Sequence, residues 1–159
     1  MKETLKITNE IKRLITIREK ELLGLPEDVI SSRRNSQERS IKQILGHLID
    51  SASNNNHRIV HLQYQPSPFD FPNYATFGNN DRWISIQNYQ EEDWKVMIGL
   101  WKYANLHLCH VIENVNDDHL KNEWIAGPGR KLTLKSMIDA YLDHFNLHLK
   151  EIDELIHQA

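Results

Sequence analysis

Nine histidines in 159 residues are the side chains best able to do chemistry in this chain. Two pairs have the spacing His-x-x-x-His, His57/His61 and His144/His148. On a helix that spacing puts two imidazoles on one face about one turn apart, near enough to share a metal ion. Composition alone gives about 0.5 such pairs by chance, so helical phase must discriminate between them. At about 100° per residue, the apolar centre of the last helical segment falls near Ile138 and Phe145. His148 lies inside that face, between Met137 and Leu155, and His144 lies at its margin. His57 and His61 fall nearly opposite the apolar centre formed by Ile41, Leu48 and Ile59, which predicts a solvated pair. His107 and His110 point away from the Trp94, Trp101 and Leu108 stripe. His47 sits at the edge of an apolar sector, flanked by Ile44 and Leu48, where neighbouring helices meet. His47, His144 and His148 can thus converge from two helices. Two readings stay open at this point: a metal site, or a hydrogen-bonded structural cluster whose members must remain neutral in a low dielectric.

Four segments must position these groups. Residues 3–24 carry Ile7, Ile11, Leu14 and Leu22 at helical spacing and end at Gly24-Leu25-Pro26. Residues 26–39 read as a polar connection. The second helix is expected over 40–64, with Ser40 as N-cap and Gln43 in place to complete a capping box. Residues 65–88 hold three prolines and Gly78 without a sustained period, which predicts a crossover packed by Phe69, Phe71, Tyr74 and Phe77. The third helix is expected over 90–114. Residues 116–131 close with Gly127-Pro128-Gly129-Arg130 and read as a loop. The fourth helix is expected over 134–157, with Thr133 at its N-cap. No strand alternation or internal repeat competes, so residues 1–159 are expected to form one all-α domain, a four-helix bundle.

Composition narrows the function classes. Hydrophobic residues at 40% and charged residues at 26% are those of a globular chain. Lys and Arg number 19 against 22 Asp and Glu, a formal net charge of −3, which disfavours nucleic acid as the main partner. No apolar run is long enough to span a membrane. The N-terminal residues do not read as a signal peptide, and the single Cys109 fits a reducing compartment; a cytoplasmic protein is expected.

The block Ile41-Lys42-Gln43-Ile44-Leu45-Gly46-His47-Leu48-Ile49-Asp50-Ser51-Ala52, followed by Asn54-Asn55 and Arg58, resembles the histidine-bearing second helix of the DinB-like (YfiT-like) superfamily. Trp83, Tyr89 and Trp94, then Leu100-Trp101-Lys102-Tyr103-Ala104-Asn105, are similar to its third-helix region. Tyr141-Leu142-Asp143-His144-Phe145-Asn146-Leu147-His148 is similar to its closing histidine pair. Arg39 departs from the pattern, which commonly has tryptophan before the serine at Ser40. The resemblance implies an up-down-down-up bundle, with the 65–88 crossover joining helices 2 and 3. It implies a divalent metal, zinc or nickel, held by His47, His144 and His148, and often a homodimer. The chemistry it implies is transfer of a low-molecular-weight thiol to a small-molecule electrophile, or metal-dependent hydrolysis.

Three neutral histidines leave coordination positions open, as catalytic sites do. A divalent ion lowers the pKa of a coordinated thiol or water, so no protein nucleophile is required. Cys109 is phased away from the site and reads as a bystander. Asp50, Asn54 and Arg58 continue a polar stripe from His47 and are the candidate catalytic, substrate-orienting or ligand-supporting groups; a solvated helix edge is their plain alternative. Asn105 falls on an apolar stripe and needs a hydrogen-bond partner there. Arg130 can meet an anionic thiol at the bundle mouth. The competing functional class is a non-enzymatic metal- or ligand-binding bundle, such as a stress-response protein.

Overall fold

The computed structural model describes the backbone of residues 2–158 and the side chains of residues 4–158. Four long helices make the bundle: α1 (Lys2–Leu23), α3 (Ile41–His61), α5 (Trp94–Glu113) and α6 (Leu134–Ile156). Short helices α2 (Glu27–Ser32) and α4 (Asn79–Gln87) lie in the connections, and β1 (Glu123–Gly127) with β2 (Arg130–Thr133) forms an antiparallel hairpin. α3 and α1 each pack against both α5 and α6, which makes α1/α3 and α5/α6 the diagonal pairs.

Contacts between helices fix their directions. Lys12 meets Glu113, Lys102 meets Glu19, and the Trp94 indole N–H donates to the Leu22 carbonyl, so α1 and α5 run antiparallel. Arg18 pairs with Asp153, which makes α1 and α6 parallel. Gln63 beyond the end of α3 accepts from the Asn116 backbone N–H beyond the end of α5, which makes α3 and α5 parallel. The order is up-down-down-up, and the crossover between α3 and α5 is what allows two consecutive long helices to point the same way.

The helix starts are set locally. The Ser40 hydroxyl accepts from the Gln43 backbone N–H, the Gln43 side chain accepts from the Ser40 N–H, and Ser40 in turn donates to Gln90. This capping box begins α3 seven residues before His47. Thr133 accepts from the Ser136 N–H and begins α6 in the same way. Between the helices, Trp101 and Phe145 are fully buried and stack with ring centroids 5.9 Å apart. Asn105 donates to the Trp101 carbonyl and accepts from the Tyr141 hydroxyl at 2.7 Å, so its place in the apolar stripe is structural.

The connections hold more order than their sequences announce. The 26–39 segment contains α2, which buries Val29 and Ile30. The 65–88 crossover contains α4, and Tyr74 is buried in it while Phe77 is 72% exposed, contrary to its expected packing role. The 116–131 segment forms β1 and most of its hairpin. Phe69 pairs with that hairpin through its N–H to the Glu123 carbonyl and its carbonyl to the Ile125 N–H. The crossover is thereby tied to the hairpin, and Trp124 is pressed inward beside α3.

Candidate metal centre

His47 comes from α3, and His144 and His148 come one turn apart from α6. One nitrogen of each imidazole lies within 4.8 Å of the others. The Nε2 atom of His144 is 3.3 Å from Nε2 of His47 and 3.1 Å from Nε2 of His148. The rings meet edge to face, with centroids 4.5 Å apart for His47/His148 and for His144/His148.

The outer nitrogens are tied down by two side chains. Nδ1 of His47 lies 2.7 Å from the Tyr74 hydroxyl, and Nδ1 of His148 lies 2.8 Å from Glu151 Oε2. A carboxylate takes the proton-bearing nitrogen as its donor, which leaves Nε2 of His148 as a lone pair facing its neighbours. Tyr74 can accept from His47 while directing its own hydroxyl hydrogen toward the His47 carbonyl, 3.4 Å away. That tautomer turns the Nε2 lone pair of His47 inward as well. Burial and the neighbouring imidazoles disfavour protonation, taking His47 down to about 2 and His144 down to about 4.

These donors fit a divalent ion. Two nitrogens each about 2.05 Å from a tetrahedral centre lie about 3.3 Å apart, close to the spacing of these Nε2 atoms. A hydrogen-bonded cluster fits less well. The single Nε2 proton available to His144 would have to serve two lone pairs in different directions. The donor set, three imidazoles backed by a carboxylate and a phenol, is of the kind that holds a divalent transition-metal ion.

The three histidines open on a cleft of about 620 Å³, whose walls also include Arg39, Ser51, Asn55, Arg58, Tyr74, Trp124, Arg130 and Glu151. Arg58 therefore shares the cleft with the histidines, and Arg130 stands exposed at it. Asn54 does not line this cleft; its amide donates to the Asp50 carbonyl, and it borders a separate small cavity with His57 and Phe71. Asp50 does not line this cleft either. Its Oδ1 accepts from the Tyr89 hydroxyl at 2.6 Å and from Gln87 at 2.7 Å, while Oδ2 is buried without a partner. Burial raises its carboxyl to about 6 against the lowering effect of those two donors.

His57, His107 and His110 are exposed, and His61 packs on Phe69 and Tyr64. Cys109 is buried against the Thr8 carbonyl, and burial raises its thiol to about 12, so it cannot serve as a thiolate at neutral pH. Gly46 lies against Tyr89: a Cβ there would be 2.2 Å from the ring, so the residue beside His47 must lack a side chain. The sequence reading missed Tyr74 and Glu151 as supports of the histidines. Glu151, three residues after His148 on the same helix, had a readable spacing; Tyr74, in an aperiodic crossover, had none.

No family model matches the chain, and no curated protein matches it. Among solved structures, YfiT from Bacillus subtilis superposes with a TM-score of 0.79, covering 96% of this chain and 85% of that one. The fold is that of YfiT. Identity is 16%, so the likeness is one of architecture; YfiT is described as a probable metal-dependent hydrolase with an unusual four-helix bundle topology. The resemblance drawn from the second-helix block and the closing histidine pair thus holds for the fold. Among the described residues no helix is long and apolar enough to cross a membrane.

Proposed function

We propose that this chain is a metal-dependent enzyme in which His47, His144 and His148 hold a divalent ion, zinc or nickel, and in which a small thiol or water attacks an electrophilic small molecule. The observation that carries this reading is the meeting of three inward-facing Nε2 atoms with Tyr74 and Glu151 behind them. An ion bound there supplies Lewis acidity and brings the pKa of a thiol or water toward neutrality. Tyr74 and Glu151 hold the imidazole tautomers and ring orientations. The walls around Ser51, Asn55 and Tyr141 confine the reactants, and the buried Cys109 takes no part. The description of YfiT as a metal-dependent hydrolase supports the hydrolytic form of the reaction.

The test is elemental analysis of protein purified without an affinity tag, followed by turnover assays. One equivalent of zinc or nickel per chain is expected, lost in His144→Ala and kept in His57→Ala. Reactive esters, amides and epoxides are then offered with and without biological thiols. Absence of bound metal in the unsubstituted chain, or equal turnover after chelation, refutes the proposal. A homodimer also belongs to this reading: Val96, Leu100 and Tyr103 form an exposed apolar stripe at i, i+4 and i+7 on α5.

A further inference from the structure

Arg58 is the buried guanidinium that the protein leaves without an acceptor. The residue is 4% exposed, and its Nε and Nη2 are buried with no hydrogen-bond partner. Other inward-facing arginines have acceptors: Arg39 has Asp81, Arg33 has the carbonyls of Leu155 and Ile156, and Arg18 has Asp153 and Glu21 although its Nε is unpaired. What Arg58 has instead is aromatic support. Its guanidinium carbon lies 4.2 Å from the Trp124 ring centroid and 5.5 Å from that of Phe71. Ring faces hold a cation in place but accept no directed N–H bonds, so the group's hydrogen-bonding capacity is unspent.

Its position connects that capacity to the histidines. Arg58 follows His47 on α3 by eleven residues, three helical turns, so both lie on one face and line one cleft. Eleven residues rise about 16 Å along the helix axis, so Arg58 lines the same cleft farther along α3 from the imidazoles. Among the described residues Glu151 is the only carboxylate on the cleft walls, and it is engaged by His148. Arg39 is neutralised by Asp81. The cleft therefore carries uncompensated positive charge at Arg58 and at Arg130, before any cation is added. A buried charge without a partner is costly, and a ligand that supplies the partner recovers that cost on binding.

We infer that Arg58 is a specificity-determining anion anchor, and that the substrate of this site carries a carboxylate several bonds from the carbon that reacts at the histidine cluster. A planar guanidinium stacked beneath Trp124 matches a planar carboxylate, which it can meet with two parallel N–H bonds. Arg130, at the mouth, adds long-range attraction for the same charge. This inference deepens the proposed function by naming the chemical class of the substrate, and it rests on that reading for the reaction.

The experiment separates the two. Binding of succinate and of its neutral isostere succinamide is measured by calorimetry and by Trp fluorescence on metal-stripped protein, where a carboxylate has no ion to bind. Succinate is expected to bind and succinamide not. Arg58→Gln is expected to weaken succinate about tenfold or more, with unchanged circular dichroism and unchanged metal content on reloading. Arg58→Lys, which keeps the charge and the fold but loses the planar fork, falls between. Equal binding of the diamide, or full succinate affinity in Arg58→Gln, overturns the inference, as does failure of succinate to bind the unsubstituted chain. Should Arg58→Gln not fold, the contrast between the two ligands and the Arg58→Lys affinity decide the matter. A chain that binds succinate through Arg58 but takes up no metal refutes the proposed function and leaves the anion anchor standing.

Discussion

Replacing Asp50 by asparagine should make the protein more stable at neutral pH, and the gain should grow with pH. In the folded chain Asp50 is 2% exposed, with two donors on one oxygen and none on the other. Its carboxyl is raised by burial from the ordinary 3.8 to about 6. A carboxyl with a raised folded pKa holds its proton more tightly in the native state than in the unfolded one. Native stability is therefore undiminished below the unfolded value and falls as pH rises from 3.8 toward 6, reaching its full loss above that. The shift corresponds to about 3 kcal/mol at most. Asparagine keeps an acceptor for Tyr89 and Gln87 and carries no charge to bury. The stability advantage of Asp50→Asn over the unsubstituted chain should thus widen by about 1.4 kcal/mol between about pH 5 and about pH 8. Urea unfolding of both metal-stripped proteins across that range measures it, because the imidazoles are common to both and cancel in the difference. An advantage that is flat with pH, or an asparagine variant less stable near pH 8, refutes the reasoning.

Two further outcomes follow from the same geometry. Tyr74→Phe and Glu151→Gln each remove a support from a histidine of the proposed metal site and should lower metal affinity by about 10- to 100-fold, read by competition with a chromogenic chelator, while leaving the helical circular dichroism intact. Gly46→Ala drives a methyl group into the Tyr89 ring; it should destabilise the fold by about 1–3 kcal/mol in urea unfolding and also disturb the Asp50 contact.

Much of the site was legible because helical phase is a local property. His47, His144 and His148 could be singled out from nine histidines by their places relative to Leu48, Phe145 and Leu155, and the structure brings those three together. The starts of α3 and α6 were readable from Ser40, Gln43 and Thr133, whose side chains close bonds within three residues. The connections were harder. α2 is only six residues long and buries two apolar side chains, too few to establish a period. The hairpin offered only Trp124 and Ala126 as alternating buried positions before a Gly-Pro-Gly turn. Asp50 shares a helix and a polar stripe with His47, yet its partners are Tyr89 and Gln87, and nothing in the α3 sequence foretells them.

The sequence by itself determined four amphipathic helices and which histidines face their common interior, since both follow from the rotation of successive residues about one axis. Only the tertiary structure decided what surrounds those histidines. Tyr74 reaches His47 from 27 residues away, and Trp124 covers Arg58 from a hairpin beyond the next long helix. Such contacts depend on where the ends of the bundle bring aperiodic segments together, and chain folding in space, unlike helical rotation, leaves no period in the sequence to read.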